Sequence, residues 1–416
     1  MVRYGKRGEL MDPMKRLKYA CYTTNISMSV VANLPPVLFL TFRSLYGLSY
    51  TQLGLLVLLN FVTQLGVDLL FSFFSHRISI PRAVKLTPVL TVAGLLLYAL
   101  WPMLLPEYAY VGLVAGTVVF SASAGLSEVL ISPVVAAIPA ENPDHEMSKL
   151  HSVYAWGVVG VVVFSTVFLA WAGAESWQLL ALLFLAVPGM AACLFARVRI
   201  PDMQTPERVT GALRLLKNKG LWVCIAAIFL GGAAECTMAQ WSSGYLEQAL
   251  GIPKVWGDMF GVALFAVMLG LGRTLYSKIG KNVTKVLFFG AVGAAGCYLI
   301  AAVSASAAAG LAACALTGLC TAMLWPGSLI VASDWFPASG VFVYAIMAAG
   351  GDLGASVGPQ LVGVVTDAAI ASPKLSALAA SLGMVPDQLG MKLGMLTGML
   401  FPLAASFVYY RLWKKK

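Results

Sequence analysis

Residues 125–133 read GLSEVLISP, and residues 318–326 read GLCTAMLWP. Gly, Leu and Pro hold the same places in both, at an offset of 193 residues. Each stretch lies inside a run of apolar and small residues long enough to cross a bilayer core, which takes about 20 residues of helix. Two further pairs keep the same order along the chain. Residues 153–155 and 343–345 both read VYA, and segments 75–79 (SHRIS) and 276–280 (YSKIG) stand at equivalent exits from apolar runs. Three matches in order, at nearly constant offset, indicate an internal duplication.

The composition around these stretches belongs to a membrane. Of 416 residues, 59% are hydrophobic and 11% charged; soluble domains carry roughly 25% charged residues. So few charges cannot cover a soluble body of this size, and the remaining surface must face lipid. A formal net charge of +10 would fit a nucleic-acid partner, but the basic residues sit at the ends of apolar runs, where membrane orientation puts them. No nucleic acid is expected. The seven cysteines (Cys21, Cys193, Cys224, Cys236, Cys297, Cys314, Cys320) lie in or beside apolar runs without metal-ligand spacing, as small apolar fillers do. The first apolar run is too long for a signal-peptide core and has no small-residue cleavage site, so it reads as a retained helix.

Hydropathy predicts helices near 18–43, 51–74, 86–105, 109–139, 150–172, 175–198, 220–248, 256–279, 283–304, 308–333, 338–369 and 389–413. The longest hydrophilic connector, 199–219, divides them six and six. The expected domains are therefore a six-helix bundle at 1–198, a connector at 199–219 and a second bundle at 220–416. With both termini in the cytoplasm, Arg43, Lys254, Lys374 and Lys392 are the only Lys and Arg outside; the other 24 of 28 fall inside. A missed helix would invert every loop after it, so this asymmetry supports the helix count and a plasma (inner) membrane orientation. The expected fold is all-α and integral to the membrane, with twelve transmembrane helices in two pseudo-symmetric six-helix bundles. Duplicated helical halves around a central site are a plan many transporters use.

Ionisable groups in hydrocarbon are costly, so each is a functional candidate. Asp68, Glu128, Glu235 and Asp352 fall within predicted spans. Glu128 and Glu235 lie furthest from helix ends, while Asp68 lies nearer the predicted cytoplasmic end, where gating or packing is expected. No Lys or Arg is expected near mid-depth in any span. A carboxyl held away from water and cations is costly to keep charged, which suits Glu128, Glu235 and Asp352 to proton coupling. Ser121, Gly125, Glu128 and Ser132 recur at helical spacing and mark one polar, small-residue face that must look away from lipid. The plainer alternative for Glu128 is a carboxyl hydrogen-bonded across a helix interface.

Other polar groups suit a ligand with hydroxyls. Asn33 follows Asn25 and Ser29 and precedes Pro35 and Pro36, which remove backbone donors and are expected to kink or interrupt the first helix. Asn60 and Gln64 stand one turn apart in the second helix, and Gln240 and Trp241 follow Glu235 in the seventh. Amides both donate to and accept from hydroxyls, although they serve equally as glue between helices. Trp156, Trp241 and Trp325 lie away from the helix ends where an interfacial belt is expected, and are candidate aromatic walls or core filler. The candidate substrate-binding set is Asn33, Asn60, Gln64, Glu128, Trp156, Glu235, Gln240, Trp241 and Trp325. No phosphate-binding loop, zinc-type His pair or nucleophile elbow is present, so neither an enzyme nor a cofactor or metal is expected. His76, His145 and His151 fall at helix ends on the predicted cytoplasmic side, where local charge accounts for them.

On these residues the chain resembles the major facilitator superfamily over nearly its whole length, and within it the fucose permease-like branch. That branch carries a Glu in its fourth helix with a Gly before it and a Pro five residues later, matched by Gly125, Glu128 and Pro133. Its Val-Ala-Asn triplet in the first helix is matched by Val31, Ala32 and Asn33. Where the branch has a second acid after the triplet, this chain has Leu34, Pro35 and Pro36. The superfamily's loop motif is altered too, with His76 for its Asp and Ser79 for its Gly. The resemblance implies sugar–proton symport with Glu128 as a coupling carboxylate. The expectation is a monomeric importer of a sugar-like small molecule with protons, working by alternating access. The rivals are a drug or metabolite exporter of the same fold, and a membrane enzyme or sensor.

Overall fold

The computed structural model describes residues 12–74, 78–138, 143–201, 216–279, 281–336 and 340–414. Among them every regular element is helical. The first half contains α1 (Pro13–Tyr46), α2 (Tyr50–Phe74), α3 (Ile80–Leu104), α4 (Ala109–Ala136), α5 (Pro143–Ala172) and α6 (Trp177–Leu183 with Ala186–Ala196). The second contains α7 (Lys219–Leu250), α8 (Gly257–Ala263 with Leu264–Ile279), α9 (Val283–Val303), α10 (Ala307–Thr321 with Leu324–Trp335), α11 (Gly340–Ala371) and α12 (Pro386–Gly398 with Leu400–Lys414). Eleven helices among the described residues are long and apolar enough to cross a membrane; α5 supplies a shorter apolar stretch, Trp156–Ala172, beyond its charged first turns. The twelve-helix expectation holds.

Local chemistry sets the ends. The Asp12 carboxylate accepts from the Met14 amide at the start of α1, and Gly47 closes that helix at φ 65°, a left-handed conformation glycine adopts without strain. Ser49 and Gln52 cap α2 reciprocally: the Gln52 amide donates to Ser49 Oγ, and the Ser49 amide to Gln52 Oε1. Asn218, Asn282 and Ser306 cap α7, α9 and α10 in one direction, their side-chain oxygens accepting from the Gly220, Lys285 and Ala309 amides.

Proline acts differently in two helices. Of the kink or interruption expected at Pro35 and Pro36, the interruption does not occur: α1 runs through both, and packing on its neighbours outweighs the missing donors. In α10 the helix breaks at Ala322–Met323, where Pro326 lacks the amide that would reach the Ala322 carbonyl.

The halves meet where α2 packs on α11, α1 on α7, and α5 on the first turns of α8. Gly54 and Gly363 permit the α2–α11 approach. A Cβ on Gly54 would meet the Gln360 Cα at 3.1 Å, and one on Gly363 would strike the Tyr50 carbonyl. With twelve helices crossing in alternation, the start of α1 and the end of α12 lie on one face, here the terminal face. The far face is pinned by bonds between halves. Arg43 Nη2 donates to Asp387 Oδ1 at 2.7 Å, and the Tyr50 hydroxyl donates to the same atom at 3.2 Å. Asp367 accepts from the Tyr50 and Thr51 amides at 3.1 and 2.6 Å, placing a carboxylate on the α2 N-terminus. Asp258, fully buried, accepts from Ser243, from Thr166 at 3.1 Å and from Lys254. Lys254 also donates to the Val37 carbonyl at 2.6 Å.

Candidate functional site

Three acids converge toward the terminal-face ends of their helices. Asp68 of α2, Glu128 of α4 and Asp352 of α11 each offer an oxygen within 4.8 Å of the others. The first two belong to the first half and the third to the second, so the cluster bridges them. Asp68 and Asp352 are buried and stand in hydrogen-bonding reach of each other. The Glu128 side chain is exposed while its carboxyl stays within reach of the two buried acids. Among the described residues Glu128 makes no ion pair. At an effective dielectric of about 20, two full charges at this spacing repel by about 3 kcal/mol. A shared proton relieves that repulsion, and a hard cation, whose ligands are carboxylate oxygens, would relieve it too.

Glu235 lies in a different setting. Its Oε1 accepts from Arg273 Nη2 at 3.1 Å, and Arg273 Nε donates to the Ala322 carbonyl at 3.1 Å. Although no Lys or Arg is expected near mid-depth in any span, the Arg273 guanidinium reaches Glu235 from nearer the end of α8. Arg273 falls inside the predicted eighth helix, but counting basic residues for orientation assigns it to the flank. The Ala322 carbonyl, left without its helical donor by Pro326, holds the guanidinium in place. Tyr154 and Cys236 complete this region. Tyr154 lies within electrostatic reach of Glu128, Glu235, Cys236 and Arg273, and Cys236 of Glu235, Asp352 and Arg273. Sequence reasoning did not select Arg273, Tyr154 or Cys236, although Tyr154 sits in the repeated VYA triplet.

The other candidates divide. Asn60 and Gln240 line one narrow cleft with Val31, Ala32, Pro35 and Phe120, and Asn60 Oδ1 accepts from Ser121 at 2.6 Å. Gln64 is buried where its backbone approaches Gly125. Asn33 bonds to its own helix at the Ser29 carbonyl. Trp241 is fully buried between the halves. Its indole donates to the Pro359 carbonyl at 2.9 Å, and its ring packs on Phe39 and Tyr50. Trp325 sits over Gly232 and Gly351, where any side chain would strike its ring, one residue from Asp352. Trp156 is 73% exposed on an apolar groove formed with α1 and α6. The structure does not bring it to the acids, because that face of α5 turns outward. His76, the connector residues 202–215, and the side chains of Ser132, Pro133, His145 and His151 lie outside the described residues.

Known proteins can be set against this geometry. A bacterial homologue of the human lysosomal transporter Spinster, inward-facing and unoccupied, shares 13% identity over 98% of this chain and 99% of its own, with a TM-score of 0.74. The nucleoside transporter NupG shares 12% identity over 98% and 100%, with a TM-score of 0.73. The E. coli fucose:proton symporter FucP shares 16% identity over 95% and 99%, with a TM-score of 0.57. At such identities the likeness is one of fold. No curated protein matches the chain. The sequence profile of the Major Facilitator Superfamily matches residues 20–359, and the duplicated helices, the central acids and this match lead to one conclusion: the chain belongs to the Major Facilitator Superfamily and is a non-enzymatic membrane transporter.

Proposed function

We propose that the chain is a proton-coupled symporter of a sugar or sugar-like small molecule, working by alternating access, with Glu128, Asp68 and Asp352 as its proton site. The carrying observation is that the three carboxyls come from both halves and lie within 4.8 Å of one another. With a proton shared among them, α2 and α4 can close against α11. When the proton leaves, repulsion drives the two sides apart at the terminal face. Protonation and opening are thereby linked. In this reading the halves are residues 1–198 and 220–416, the terminal face is cytoplasmic, and the protein works as a monomer in the inner membrane. The fold it shares with a fucose:proton symporter supports the sugar reading. Asn60, Gln240 and Gln64 offer amides to cargo hydroxyls, and Trp325 an aromatic wall.

The test uses purified protein in liposomes loaded with a pH-sensitive dye. Cargo added outside is expected to acidify the interior, and Glu128→Gln to abolish that acidification while exchange down a gradient continues. Normal uphill uptake by the variant would overturn the assignment. Uptake that follows a sodium gradient and leaves the dye unchanged would put a cation in the proton's place.

A further inference from the structure

Arg273 is held unlike any other group near the centre. On α8 it lies two residues from both Leu271 and Leu275, about 200° around the helix. Those leucines are exposed on the lipid side, so Arg273 points inward. Its Nε and Nη2 are engaged by the Ala322 carbonyl and by Glu235, yet 45% of the side chain remains open. Arginine and carboxylate groups pair best through two parallel bonds. Here Glu235 uses one oxygen, and its Oε2 is buried without a hydrogen-bond partner among the described residues. The ion pair is therefore half made, with a guanidinium fixed from behind and open in front.

We infer that Arg273 anchors a carboxylate on the transported molecule, so that the cargo is a hydroxylated organic acid such as a sugar acid rather than a neutral sugar. The inference rests on the transport reading above and sharpens its substrate class. An incoming carboxylate takes the open edge of the guanidinium, in a region where Tyr154 lies within electrostatic reach of both Arg273 and Glu128. Charge then explains coupling. The surrounding acids repel an anion until protons neutralise them, so proton and anion each lower the cost of binding the other. A neutral sugar gains nothing from that attraction. An amine would favour Glu128 but meet Arg273.

Purified full-length protein is tested by thermal unfolding with gluconate, glucose and glucosamine at equal ionic strength. Gluconate is expected to stabilise the protein, and its apparent affinity to fall about 10- to 100-fold in Arg273→Gln, the loss of a charge-assisted bond. Arg273→Lys should recover part of it. If Arg273→Gln does not fold, Glu235→Gln decides: releasing the guanidinium should tighten gluconate binding, whereas a merely structural pair gives no gain. The anchor is overturned if gluconate does not stabilise the wild type, if glucose or glucosamine does so better, or if Arg273→Gln binds gluconate normally. Gluconate binding without proton movement in liposomes would overturn the coupling reading and leave the anchor standing. A neutral sugar that carries protons would do the reverse.

Discussion

Two sets of acids lie along the boundary between the halves, and they are treated in opposite ways. Asp258, Asp367 and Asp387, toward the far face, each accept bonds from donors, and each set of donors includes one across the boundary. Asp68, Glu128 and Asp352, toward the terminal face, crowd one another. A carboxylate bonded by donors from across the boundary ties the two halves together. Carboxyls facing each other pull the halves together only while they share a proton or a cation. On the proposed reading the far-face set latches and the terminal-face set changes charge, so one boundary holds both a lock and a switch.

The largest expected effect comes from the switch. Glu128→Gln should abolish proton-driven accumulation, while Asp387→Asn should retain it, with both measured as uphill uptake at equal expression. Asp352→Asn should leave exchange in place but remove its dependence on pH, because the cluster can then no longer bridge the halves through a shared proton. If Asp387→Asn proves as damaging as Glu128→Gln, the distinction between lock and switch fails.

A smaller effect is expected at the lock. Asp387 and Arg43 each keep about 30% of their side-chain surface exposed, and solvent-screened pairs of this kind contribute about 1 kcal/mol or less. Asp387→Asn should thus shift the protein by at most about fivefold toward the state open at the far face. Hydrogen exchange would report it as faster exchange in the peptide spanning residues 43–52, with no change around Asp68. Equal acceleration at both places would mean general destabilisation rather than an opened lock.

How legible this was in the sequence depended on the physics involved. The twelve helices follow from hydropathy and charge placement, which act residue by residue, and they agree with the structure closely. Glu128 and Asp352 could be singled out because a charge in an apolar run is conspicuous by itself. Their meeting with Asp68 could not, since it depends on how α2, α4 and α11 approach, through contacts such as those at Gly54 and Gly363. Arg273 was hidden for a related reason: basic residues near helix ends serve orientation, and nothing local shows that this one turns inward to the Ala322 carbonyl. Trp156 misled because distance from a helix end says nothing about which way the ring faces.

The smallest effect sharpens the comparison between the duplicated motifs themselves. At the position of Glu128 in GLSEVLISP, the second copy has Thr321, which among the described residues bonds within its own helix, at the Thr317 and Gly318 carbonyls. The first copy keeps its helix whole and presents an acid, while the second breaks and gives a carbonyl to a cation. Pro326→Ala would restore an amide able to compete for that carbonyl. One neutral hydrogen bond contributes about 1 kcal/mol, so Arg273 should lose at most about fivefold in its hold on a carboxylate. The protein should remain as stable or become slightly more so, since a helical bond replaces a gap. Affinity for gluconate and the unfolding midpoint, measured on the same samples, separate these outcomes. A variant that lost stability while keeping affinity would show that the break in α10 serves packing alone, and that Arg273 is positioned by Glu235 rather than by the carbonyl behind it.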